Sequence, residues 1–97
     1  MALKDLEYYE APAPETIPAS TVQTVLIDPV DLPTGKTMIS GAWEILDHTL
    51  THIELLQHGP YGSGPNGTDP PYGWYYNFKN NGTSDGRVAL HGLIADY

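Results

Sequence analysis

The chain has 97 residues, a net charge of −8 and no cysteine. That length supports one domain with one core, and that core has to hold without disulfides, thiolate metal sites or a cysteine nucleophile. Only Lys4, Lys36, Lys79 and Arg87 are basic, against twelve acids. This argues against nucleic acid and membrane as partners, because both need clustered cations.

No apolar run approaches the roughly 20 residues of a membrane helix, and the first residues lack the apolar stretch of a signal peptide. Synthesis in the cytoplasm is therefore expected.

Residues 1–20 have their own composition. Pro12, Pro14 and Pro18 interrupt regular structure, and Ala11-Pro12-Ala13-Pro14 favours an extended path. Leu3, Leu6, Tyr8, Tyr9 and Ile17 nevertheless stud this segment with apolar groups that a solvating tail would not need. It reads as an extended N-terminal arm that docks on its own domain or on a neighbouring subunit, followed by a β-domain over residues 21–97.

Thr21 to Ile27, rich in β-branched residues, predicts a strand. Asp28 to Gly35 holds two prolines and reads as a turn region. Lys36 to Leu46 predicts a second strand, in which Gly41 marks a bulge or a close backbone approach. Residues 47–58 fit a strand better than a short helix, because Thr49, Thr51 and Ile53 are β-branched. Gly59 to Gly73, with five glycines and four prolines, predicts a long turn-rich loop.

Tyr72 to Tyr97 predicts a β-hairpin that closes the domain. Trp74, Tyr76 and Phe78 alternate with Tyr75, Asn77 and Lys79, and Val88, Leu90, Gly92 and Ile94 alternate with their neighbours. Asn80, Asn81 and Gly82 between them can adopt positive φ at little cost. Short strands with Gly/Pro punctuation predict an all-β fold, a small antiparallel β-sandwich.

Sites of chemistry are sparse. His48 and His52 share a face, with Asp47 or Glu54 as a possible third metal ligand, but on a strand four residues span about 13 Å, and the pattern lacks the glutamate of a zinc protease. Asp28, Asp31, Asp69 and Asp85 sit in turn contexts and match no calcium-loop spacing. No nucleophile elbow or phosphate loop is present. An enzyme is not expected, and no catalytic residue, metal or cofactor is assigned.

The aromatics offer more. Trp43, Trp74, Tyr75 and Tyr76 read first as core and cross-strand packing. Tyr61, Tyr72 and Trp74, around the Gly/Pro segment, are the candidate exposed contacts. Asn66-Gly67-Thr68 and Asn81-Gly82-Thr83 match the glycosylation pattern but read as turns.

The order of elements, with Leu32-Pro33-Thr34-Gly35-Lys36 leading a strand to Gly41-Ala42-Trp43 and the closing Gly73-Trp74-Tyr75-Tyr76-Asn77-Phe78-Lys79-Asn80-Asn81-Gly82, resembles a small β-sandwich domain of actinobacterial surface proteins and their phages. The resemblance covers roughly residues 21–97. It departs from the family's pattern in lacking cysteines on the first and last strands. A free-standing acidic version with an apolar-studded arm looks like a phage capsid decoration protein. The resemblance implies a virion protein on the capsid surface, with the major capsid protein as partner. It also implies a homotrimer at local threefold positions. The arm residues Leu3, Leu6, Tyr8, Tyr9 and Ile17 would be its anchors. The alternative is a carbohydrate- or receptor-binding module of a tail or fibre, using Tyr61, Tyr72 and Trp74.

Overall fold

Seven strands form two antiparallel sheets packed face to face, in a computed structural model that describes residues 6–46 and 52–97. The strands are β1 (Glu7–Glu10), β2 (Glu15–Ile17), β3 (Thr21–Ile27), β4 (Lys36–Ile45), β5 (Ile53–Ser63), β6 (Asp69–Asn80) and β7 (Gly86–Asp96). In sheet A, β7 pairs with β4 on one side and with β1 and β2 on the other. In sheet B, β6 lies between β3 and β5. This is the all-β sandwich that the strand pattern predicts.

The core lies where the inward stripes of the two central strands meet. Tyr76 and Phe78 of β6 face Val88, Leu90 and Ile94 of β7, and all five are 0% or 1% exposed. Ile17, Val25, Ile27, Leu32, Met38 and Ile53 complete it. The alternation in Tyr72–Tyr97 thus marks the right faces, but the hairpin it suggests does not form. β6 and β7 belong to different sheets, and the chain crosses the sandwich between Asn80 and Gly86. A period of two says which residues point inward and nothing about which strand lies alongside. Two strands that are both strongly apolar on one face bury more by facing each other than by sharing a sheet.

Asn80 makes the crossing. Buried at 1% exposure, its Nδ2 donates to the Ile17 and Ser84 carbonyls, both at 3.0 Å, and its Oδ1 accepts from Gly82 N–H at 2.9 Å. Positive φ is found among the described residues at Ser20, Gly35, Gly64 and Gly67, not at Asn80, Asn81 or Gly82. The side chain rather than an inverted backbone shapes this connection.

The hairpin that does form is β5–β6. The expected loop from Gly59 to Gly73 is mostly strand, and the turn is confined to residues 64–68. Gly64 and Gly67 take the positive φ, and Gly67 N–H donates to Gly64 O at 3.2 Å. Pro60 is accommodated because β5 is an edge strand, where no ladder needs its missing N–H. The ambiguous segment is strand from Ile53 onward; residues 47–51 lie outside the described ones.

The strand predicted over Thr21–Ile27 has those bounds. Lys36–Ile45 likewise forms a strand, with a register shift between Met38 and Ser40. Gly41 is a close approach, since a Cβ there would overlap the indole of Trp74. The N-terminal segment docks on its own domain: β1 pairs with Ile94 to His91 and β2 with Val88 to Gly86.

Candidate functional site

The two arm strands fill sheet A, and the strand alternation sorts their apolar residues into two groups. Ile17 is 0% exposed and belongs to the core, and Tyr9 is half-buried against it. Leu6 and Tyr8 point the other way and stay 48% and 62% exposed. Leu3 lies outside the described residues. Of the four described arm residues, Ile17 and Tyr9 pack into the sandwich, and Leu6 and Tyr8 face solvent.

The outward pair joins residues that the sequence pattern does not single out. Tyr8 sits opposite Leu93 of β7, which in turn sits opposite Ser40 of β4. Leu93 is exposed, as is Ile39 in the neighbouring bulge, at 38% and 40%. The Tyr8 ring rests on His91 at a centroid distance of 5.6 Å. Further along the same face lie Ala42, Ala89, Glu10 and Glu44, and beyond them Arg87, so one end is apolar and the rest small and charged.

Lys36 braces that end from three strands. Its Nζ lies 2.8 Å from Asp96 on β7 and 3.2 Å from Glu7 on β1, with only 13% of the side chain exposed. The hydrogen bond to Asp96 is the main cause that pushes the Lys36 ammonium above its ordinary pKa. The chain's four cations thus include one committed to holding the arm strand in place.

The residues of the capture alternative do not converge. Tyr61 pairs with Gly73, so it faces the side of sheet B opposite to Tyr72 and Trp74. Tyr72 is used locally: its hydroxyl donates to Thr68 O at 2.8 Å, and its N–H donates to Thr37 Oγ1 at 2.7 Å. The Trp74 indole covers Gly41 and donates from Nε1 to Nδ1 of His58 at 2.9 Å. His58 also lies 5.2 Å from Trp43 and stacks at 6.4 Å on Tyr76, completing an aromatic seam where β4 and β5 meet. The sequence marked Gly41 as a close approach, but nothing in it marked His58 as the acceptor.

Of the four acids considered as calcium ligands, Asp28 serves its own turn and Asp85 ties down a distant segment. Asp28 Oδ1 accepts from Val30 N–H at 3.1 Å, and Asp85 Oδ1 accepts from Ala19 N–H at 2.9 Å. Among the described residues no three His, Asp or Glu side chains gather as a metal would require. His48 and Asp47 lie outside them. No protein-family model, curated protein or solved structure matches this chain.

Proposed function

We propose that this chain is a non-enzymatic structural protein of a phage virion, a capsid decoration protein that docks on the major capsid protein and stabilises the shell. The observation that carries the reading is the exposed apolar end of sheet A, where Tyr8 sits opposite Leu93 with exposed Leu6 just before β1, and acidic Glu10 and Glu44 lie further along the face. Scattered exposed apolar residues are ordinary, but an apolar pair across neighbouring strands with acidic Glu10 next along the face suits a protein surface that is apolar with basic groups beside it. The net charge of −8 points the same way, because it disfavours nucleic acid and anionic lipid.

The capture alternative has less to stand on, since Tyr72 and Trp74 are engaged within the fold and Tyr61 faces away from them. The homotrimer implied by the resemblance rests on the local threefold positions of a shell and not on where the arm lies. Here β1 and β2 lie on the chain's own β7.

The test is co-sedimentation with purified phage shells stripped of their accessory proteins. Tyr8→Ser with Leu93→Ser removes two exposed groups and should leave the fold intact. If each contributes about 1–2 kcal/mol to binding, affinity falls by a factor of ten or more. Binding equal to that of the unaltered protein would remove this face from the interface, and no binding by the unaltered protein would remove the shell reading itself.

A further inference from the structure

The two sheets have four outer edges, and three of them are protected against pairing. β4 carries Glu44 and a register shift between Met38 and Ser40. β5 carries Pro60, Glu54 and a shift between Leu55 and Gln57. β1 and β2 span four and three residues and are separated by Pro12 and Pro14. Interruptions of this kind are how sheets avoid adding strands.

The edge of β3 has none of them. Thr21-Val22-Gln23-Thr24-Val25-Leu26-Ile27 runs seven residues in unbroken register with β6, without charge, proline or glycine. Among the described residues nothing pairs with its other side. Val22 and Leu26, on the outward face, are 56% and 38% exposed.

The sequence of this strand also complements itself. With a twofold axis at Thr24, an antiparallel copy sets Thr21 against Ile27, Val22 against Leu26, Gln23 against Val25, and Thr24 against its own equivalent. Every pair joins residues of the same face, so inward groups meet inward groups and outward groups meet outward groups. Aliphatic pairs and a threonine–threonine pair are favourable across antiparallel strands. In a chain of net charge −8, a second copy is repelled over most of the surface, and an uncharged edge is where that repulsion is least.

We infer that β3 is the contact between two copies of this chain. They join by antiparallel β3–β3 pairing about a twofold axis at Thr24, extending sheet B into a continuous sheet of six strands. The contact is isologous and closes on itself, so it stops at two copies. It goes beyond the shell-binding reading and does not depend on it, because it is measured without a shell.

The absence of cysteine makes the register directly testable. Thr24→Cys places two thiols at the axis. Oxidation or a short bismaleimide should convert the protein to a covalent dimer, while Thr83→Cys, in the connection after β6, should stay monomeric on a denaturing gel. Sedimentation equilibrium of the unaltered chain should show a monomer–dimer equilibrium. Thr24→Lys, which sets two ammonium groups opposite each other, should weaken it by about tenfold or more. That substitution lowers the chain's overall negative charge, so weaker association would not come from general repulsion. Thr83→Lys should leave the dimer unchanged. A chain that stays monomeric up to millimolar concentration, a trimer, or a dimer that neither crosslinks through Thr24→Cys nor responds to Thr24→Lys would overturn the inference. Should Thr24→Lys fail to fold, the Thr24→Cys crosslink alone decides.

Discussion

Tyr76 shows how a single residue links core packing to backbone satisfaction. Its ring is fully buried beside Phe78, 6.0 Å away, and its hydroxyl is shared between the carbonyls of Ala42 at 2.9 Å and His91 at 3.2 Å. A Tyr at this position therefore ties central β6 to both β4 and β7 of the opposing sheet. Burial pushes its pKa up from 10.0 to about 12, because a phenolate would lose its hydration there. Below pH 10 both the folded and the unfolded chain hold the proton. Between 10 and 12 only the unfolded chain releases it, so stability falls as pH rises through that window, by on the order of 2–3 kcal/mol. Tyr9 and Lys36, whose pKa values are also raised, add to the alkaline loss. The informative comparison is thus with Tyr76→Phe. That variant starts about 1 kcal/mol less stable at neutral pH for want of the hydroxyl, but its denaturant midpoint should fall less steeply above pH 10. Parallel curves for the two proteins would show that Tyr76 is not what titrates.

At the scale of elements, the crossing from β6 to β7 is where sequence reading and structure part company. Alternation in Trp74–Phe78 and Val88–Ile94 identified both strands and their inward faces, and the predicted bounds of β3 match the strand that forms. Partner choice was not legible, because it depends on which apolar faces meet across the core rather than on anything local. The Gly/Pro richness of residues 59–73 was also misleading as a loop signal. Gly59, Pro60 and Gly62 sit in an edge strand that tolerates them, and only residues 64–68 turn. Of the candidate contact residues, Leu6 and Tyr8 were visible from composition, whereas Leu93 emerged only once β1 was paired to β7.

The same logic identifies Asn80 as the residue the crossing depends on, since it makes three hydrogen bonds to backbone groups of Ile17, Gly82 and Ser84. Asn80→Ala leaves those groups without their partner in a buried setting, at about 2–4 kcal/mol. Asn80→Asp should be at least as costly, since it replaces two donations with a carboxylate facing carbonyl oxygens. Urea unfolding curves measure both. A loss below about 0.5 kcal/mol for the alanine variant would mean that water replaces the side chain without penalty.

For the molecule as a whole, the arm decides what a truncation experiment can mean. Residues that look like an appendage supply β1 and β2, which cover one side of β7, and Ile17, which has no exposed surface. Ala11 N–H donates to Leu90 O at 2.9 Å, and the Ile17 carbonyl is one of the acceptors that satisfy Asn80. Loss of a buried isoleucine alone costs about 2–5 kcal/mol, against a total stability of about 5–15 kcal/mol for a domain of ordinary size. A chain beginning at Ala19 also exposes the central strand of sheet A along one edge, which invites aggregation. It should therefore melt at a far lower temperature or not fold at all, as circular dichroism on heating would show. A cooperative melt within a few degrees of the full chain would mean that β1 and β2 contribute little to the fold and are free to serve a neighbour. If the truncated chain fails as expected, loss of shell binding on truncation says nothing about contact. The docking question then belongs to Tyr8→Ser and Leu93→Ser, which remove exposed groups and leave the sheet in place.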